Sequence, residues 1–265
     1  MSRQTDRKTA SPRADQTYHP GKVSPLTWLR TAMFYVDIAL STLVLGIGGL
    51  PSALFQRDGA NRVATVWLGQ MMRAIRWHLG IQVEVRGTPP TRDCIVASKH
   101  QSFLDILTLA YHCPHRIFIM KKEILRVPIM GWFAYRVGCI PIDRSRGSDA
   151  MALIVDEVRK RDASNSLGQL IIYPEGTRTR PGERRRYKHG VGVIYSQTDL
   201  PCVPVAVNMG LFWPKKGYPI RPGRPILEFL PEIATGLTED AFMAQLTTQI
   251  ETNSDRLMAE AGFRG

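Results

Sequence analysis

The chain has 265 residues, 44% of them hydrophobic, and a formal net charge of +12. That length can bury a sizeable core in one large α/β domain or two small ones. The charge points to a polyanionic partner: nucleic acid, an anionic membrane face, a phosphate-bearing substrate or an acidic carrier protein. Its four cysteines, Cys94, Cys113, Cys139 and Cys202, lie far apart with no Cys-x-x-Cys pair. This argues against a disulfide scaffold or a thiolate metal site, and for reduced core residues in a cytosol-facing protein.

Residues 1–24 are polar and carry Arg3, Arg7, Lys8, Arg13 and Lys22. They cannot bury enough apolar surface to fold, so a disordered basic tail is expected. The apolar run that follows starts too late and is too long for a cleaved signal peptide. Between residues 31 and 56 the only acidic or basic side chain is Asp37. This stretch is long enough to reach across much of a bilayer. Gly46, Gly48, Gly49 and Pro51 interrupt it, and Arg30, Arg57 and Arg62 flank both ends, so charge does not choose an orientation. A spanning helix, a hairpin returning to the same face and a buried core helix are the alternatives. The Gly-rich break and the arginines at both ends favour the hairpin. Residues 61–79 form a second helical pattern, with Val63, Val66, Trp67, Met71, Ile75 and Leu79 on one side and Arg62, Arg73 and Arg76 on the other. Such a basic amphipathic helix suits an anionic membrane surface, and equally a core-packed helix with a solvated face. Residues 25–80 are thus expected to be a membrane-associated helical segment, and residues 81–265 the catalytic domain.

From Ile81 onward strand and helix patterns alternate. Strands are predicted at 81–85, 94–97, 117–120, 139–142, 170–173, 203–207 and 226–230. Helices are predicted at 103–112, 129–136, 149–161, 191–197 and 239–261. Short, continuous apolar runs indicate strands covered on both faces. The expected fold is α/β, a mixed and largely parallel sheet of about seven strands with helices on both faces. No internal repeat, dinucleotide-binding Gly-x-Gly-x-x-Gly loop or Walker phosphate loop is present.

Several of these strands end in polar residues. His100 follows the 94–97 strand, and Asp105 lies five positions later. On one continuous helix that spacing rotates roughly 140°, so the two meet only if His100 precedes the helix. Ser102 allows this, because Ser102-Phe103-Leu104-Asp105 fits a capping box. Asp105 either orients the imidazole of a general base or only caps. Lys121, Lys122 and Glu123 follow the 117–120 strand. Asp143 and Arg144 follow the 139–142 strand, and Pro174, Glu175, Gly176, Thr177 and Arg178 follow the 170–173 strand. If these strands are parallel, a base, its carboxylate and up to three cations share one crevice. Cations there suit an anionic substrate, with Arg able to grip phosphate through two bonds.

Four blocks carry a resemblance. His100-x-x-x-x-Asp105, Gly138-Cys139-Ile140-Pro141-Ile142-Asp143-Arg144, Tyr173-Pro174-Glu175-Gly176-Thr177-Arg178 and Leu200-Pro201-Cys202-Val203-Pro204-Val205 resemble, in order, the blocks of the glycerolipid acyltransferases. Lys121-Lys122-Glu123-Ile124-Leu125 is similar to that family's Lys-x-Glu-Leu segment. The likeness is greatest to bacterial members that acylate 1-acyl-sn-glycerol 3-phosphate, and it covers roughly residues 80–210. It implies acyl transfer from acyl-CoA or acyl-carrier protein to the sn-2 hydroxyl of that lysophosphatidic acid, giving phosphatidic acid at the cytoplasmic face of the inner membrane. It implies His100 as base and Asp105 as its orienting partner. Lys121, Arg144, Glu175, Gly176, Thr177 and Arg178 would bind the acceptor, with no metal and no cofactor beyond the donor. Ile124 stands where Leu is usual and Cys202 interrupts an aliphatic run; neither carries a charged role.

The chemistry agrees. A thioester carbonyl is already reactive, and the attacking alcohol needs only a base. Ser102 lacks the Gly-x-Ser-x-Gly setting of a hydrolase nucleophile. The basic segment Arg178, Arg180, Arg184, Arg185, Arg186, Lys188, His189 either attracts anionic lipid or carrier protein or is a solvated loop. A nucleic-acid-binding module is the rival from another class, but it leaves the apolar N-terminus unexplained. Acylation of another lysolipid is the rival among enzymes. The predicted helix at 239–261 is expected to pack and carry no site.

Overall fold

The computed structural model describes residues 19–56, 58–143, 148–163 and 167–264. Residues 1–18 of the expected tail therefore lie outside the described residues. Residues 19–24 do not fit the expected disorder: His19 Nδ1 lies 2.9 Å from the Ala261 carbonyl, and Gly21 N–H donates to Pro222 at 2.8 Å.

Ser24 caps the first helix, α1 (Pro25–Gly48), through a reciprocal bond with Thr27, and Pro25 pre-sets the opening turn. The Gly-rich break appears where expected. Gly49 ends α1, and α2 (Leu50–Phe55) follows at once. A side chain at Gly49 would meet Val63 at 2.6 Å, so only glycine lets the next helix, α3 (Gly59–Leu79), approach here. Gly80 closes α3 in the left-handed conformation with φ 64°.

Helices α1 and α3 run antiparallel. Contacts pair Arg30 with Trp77, Asp37 with His78, Thr42 with Trp67 and Gly49 with Val63. Both ends of α1 also touch the remainder of the chain. Trp28 stacks on Tyr218 near its start, and Gly46 backs onto Ile129 near its end. Between them Phe34 is buried, edge-on to Trp213. A helix held along its length in this way lies on the domain instead of leaving it.

The seven strands are β1 (Glu84–Arg86), β2 (Cys94–Ser98), β3 (Arg116–Lys121), β4 (Ile140–Ile142), β5 (Gln169–Ile172), β6 (Cys202–Val207) and β7 (Ile226–Phe229). They form one sheet in the order β1-β7-β6-β2-β5-β3-β4. Every neighbouring pair is parallel except β6 and β7. All five residues of β2 are buried, as a central strand covered on both faces requires. Its side chains alternate between two cores. Cys94 and Val96 pack with α3, Phe34 and α4 (Phe103–His112). Ile95 and Ala97 pack with α6 (Ser148–Ala163), α7 (Gly190–Ser196) and α8 (Glu239–Glu260). A smaller cluster joins α2 and α3 to α5 (Met130–Val137) through Ala53, Ala60 and Phe133.

This order decides what the sheet edge can hold. β2, β5, β3 and β4 are consecutive and parallel, so the loops leaving their C-terminal ends emerge together. Adjacent strands are ~4.8 Å apart, which places the ends of β2 and β3 roughly 10 Å from each other.

Candidate active site

His100 lies just beyond β2, and Ser102 caps α4. His100 Nδ1 is 3.3 Å from Asp105 Oδ2. The Asp105 side chain is wholly buried, and the same oxygen accepts the N–H groups of Gln101 at 2.8 Å and Ser102 at 3.0 Å. Ser102 Oγ in turn accepts from Leu104 N–H at 3.0 Å. Asp105 therefore caps the helix and faces the imidazole at once. With Nδ1 turned to the carboxylate, Nε2 is the nitrogen left for a substrate proton. The His100 side chain is 12% exposed. Its ring stacks on Tyr173 with centroids 3.9 Å apart and planes 22° apart.

The His100 backbone is held from both sides by the loop after β5. Its N–H donates to Glu175 Oε2 at 2.8 Å. Its carbonyl accepts from Thr179 N–H at 2.7 Å and from Thr179 Oγ1 at 3.1 Å. Glu175 is turned into the protein. Its side chain is fully buried, and its other oxygen faces Lys99 Nζ at 2.8 Å and Thr179 Oγ1 at 3.1 Å. Burial pushes this carboxyl upward, opposed by the Lys99 ammonium. Both Glu175 oxygens are thus engaged within the protein, one of them by the backbone N–H of His100.

Gly176 turns the chain with φ 67°, and a side chain there would strike the Lys188 side chain at 2.7 Å. Thr177 and Arg178 follow, half-buried. Lys121 ends β3 and is exposed. Among the described residues neither the Lys121 nor the Arg178 side chain has an ion-pair or hydrogen-bond partner. Lys122 is occupied by Asp143 at 2.5 Å. Arg144, the third expected cation, lies outside the described residues. In the basic segment, Arg184 pairs with Asp255 and Arg185 with Glu183. All four cysteines are free and buried, and burial pushes the Cys94 and Cys113 thiols up to about 12. They are poor nucleophiles as they stand. Among the described residues no group of three or more His, Cys, Asp or Glu side chains could hold a metal ion.

An imidazole facing a buried carboxylate, and two cations unpaired among the described residues, thus lie at or beyond the C-terminal ends of three consecutive parallel strands. A family model described as Acyltransferase matches residues 81–208, which contain all of these groups. The 1-acyl-sn-glycerol-3-phosphate acyltransferase of Pseudomonas aeruginosa is 29% identical over 245 residues, covering 90% of this chain and 93% of that protein. The chain belongs to the glycerolipid acyltransferase family. It is an O-acyltransferase. Human 1-acyl-sn-glycerol-3-phosphate acyltransferase beta is 32% identical over 68% of this chain, which spans 66% of the human protein. The fold of this acyltransferase is also that of the crystal structure of the 1-acyl-sn-glycerophosphate acyltransferase PlsC from Thermotoga maritima. The TM-score is 0.71 at 21% identity, over 88% of this chain and 97% of that one.

Sequence reasoning passed over Lys99, Tyr173, Tyr187 and Glu251 around the acyltransferase site. Two signals were available. Glu251 sits among Phe242, Leu246, Ile250 and Leu257 on the buried stripe of α8, where an unpaired carboxylate is costly. Lys99 directly continues an apolar strand.

Proposed function

We propose that this acyltransferase moves a fatty acyl group from acyl-CoA or acyl-carrier protein to the sn-2 hydroxyl of 1-acyl-sn-glycerol 3-phosphate, yielding phosphatidic acid. His100 Nε2 removes the hydroxyl proton as the oxygen attacks the thioester carbonyl. The tetrahedral oxyanion then collapses, the carbon–sulfur bond breaks, and the thiolate takes the proton back from the imidazolium. Asp105 fixes the tautomer and stabilises the imidazolium in between. No covalent acyl-enzyme is needed. Arg178 and Lys121, joined by Arg144, hold the acceptor's phosphate. Gly176 and Thr177 shape the turn that presents Arg178.

The observation that carries this reading is the His100–Asp105 pair on the same sheet edge as two cations that have no side-chain partner among the described residues. The names of the similar proteins favour the same acceptor. Lipid substrates also favour a catalytic domain docked on the cytoplasmic face of the cell membrane. Among the described residues α1 alone is long and apolar enough to cross a membrane, and 17% of its apolar window is buried. Leu26, Leu29, Leu40, Val44, Phe55 and Trp77 are each about half exposed or more. Because both ends of α1 rest on the domain, the hairpin reading has it lying in one leaflet.

Purified protein incubated with a panel of acceptors (lysophosphatidic acid, lysophosphatidylethanolamine, glycerol 3-phosphate) and both donor types tests this by product mass. Phosphatidic acid is the expected product; preference for an acceptor without a phosphate monoester would refute the assignment. Arg178→Ala should raise the acceptor KM by roughly 10–100-fold with little change for the donor, and Arg178→Lys should recover only part of it. An effect confined to the donor would move these cations to the donor side.

A further inference from the structure

Both neighbours of the base in sequence reach past the sheet to α8. Lys99 Nζ lies 2.7 Å from Glu251 Oε1 and 2.9 Å from Oε2, and Gln101 Nε2 lies 3.5 Å from Met258 Sδ. Glu251 and Met258 are two helical turns apart, hence on one face of α8. Lys99 is 2% exposed and bridges two carboxylates, Glu251 and Glu175. The Lys99 ammonium also lies 3.4 Å from the Glu183 carbonyl, and Tyr187 Oη donates to Glu251 at 2.8 Å. The chain of contacts is continuous from α8 through Glu251, Lys99 and Glu175 to the backbone N–H of His100. A buried cation between two carboxylates is seldom the most stable filling for such a space, since desolvation offsets the attraction. What it can supply is fixed geometry and a net negative charge behind the imidazole.

We propose that Lys99, Glu251 and Tyr187 are positioning residues for acyl transfer, a buried relay by which α8 sets the placement of His100 and favours its imidazolium form. This rests on the reading of His100 as the base. The groups facing the relay are Glu175 from the loop after β5, Tyr187 and Arg184 from the basic segment, and Asp105 and Tyr173 beside the imidazole.

The test uses the full chain, with 1-acyl-sn-glycerol 3-phosphate and acyl-CoA as substrates. Glu251→Gln keeps the shape and removes one negative charge. Displacing the base should lower kcat by about 10–100-fold, with both KM values within about twofold of the parent. Loss of negative charge disfavours the imidazolium, so the acid limb of the pH–rate profile should move to lower pH. Glu251→Asp, which keeps the charge, should return that limb toward the parent position. Tyr187→Phe removes one bond to Glu251 and should show a smaller fall in kcat; it decides the matter should Glu251→Gln not fold. Reduced thermal stability with unchanged kcat and pH profile would overturn the proposal and leave the relay a structural clamp. His100→Ala, measured alongside, separates the two readings. Activity retained in that variant removes the base and the relay with it. An inactive His100→Ala beside a fully active Glu251→Gln removes the relay alone.

Discussion

Tyr173 lies flat on the His100 ring, yet its hydroxyl is buried with no hydrogen-bond partner. The aromatic face is therefore what the site uses, and the oxygen is a cost. Tyr173→Phe keeps the stacking and removes an unsatisfied group, so it should raise unfolding free energy by about 1 kcal/mol. Turnover should stay within about twofold, because the stacked face is unchanged. Chemical denaturation and initial rates check both, and a large loss of turnover would assign the hydroxyl a role in the reaction. Asp105 carries two duties in one side chain. Asp105→Asn removes the charge that orients His100 and weakens the cap of α4. It should cost roughly 10²–10⁴ in kcat and about 1 kcal/mol of stability. Equal stability with lost turnover would mean that the cap contributes nothing. Glu175, a carboxylate of the same motif, is spent on the protein itself: it accepts the backbone N–H of His100.

The elements of the catalytic domain were legible because each carries a local signal. The Ser102 box marks the start of α4, and α4 spans the predicted residues 103–112. Six of the seven strands fall on short apolar runs, while β1 (Glu84–Arg86) shares only Glu84 and Val85 with the run predicted at 81–85. Their pairing is not written in those runs, and the antiparallel step between β6 and β7 comes from tertiary contacts. At the amino end the pattern was ambiguous for a physical reason: a lipid-facing helix and a core helix have the same composition. α1 begins at Pro25, ahead of the apolar stretch, because Ser24 and Pro25 start it whatever follows. Helix α3 serves the core as well as its basic side, burying Met71, Ile75 and Leu79. The contact of α8 with Lys99 was not legible. Periodicity identified the helix's packing stripe, but a Glu on that stripe gains meaning only when Lys99, just beyond β2, lies opposite. Partners 152 residues apart leave no mark on either local pattern.

The whole molecule is a cationic catalytic domain with an apolar hairpin fixed along one side. If α1 lies in one leaflet, single cysteines placed at Ser24 and Gln56 should react with an impermeant reagent from the same side of a sealed vesicle. The four native thiols are buried and should stay silent. Label at one position alone would establish a true span. Replacing exposed Leu40, Val44 and Phe55 by Ser should release the protein from vesicles while leaving its fold intact, since none of the three is buried. In the proposed mechanism docking serves one central event, the loss of a proton from the acceptor hydroxyl. The most direct measurement of that event is single-turnover formation of phosphatidic acid, followed by mass, for the parent protein and His100→Ala with matched circular dichroism. The chemical step should slow by at least about 10²-fold in the variant with substrate binding intact. A chemical step of equal rate in both proteins would contradict the account.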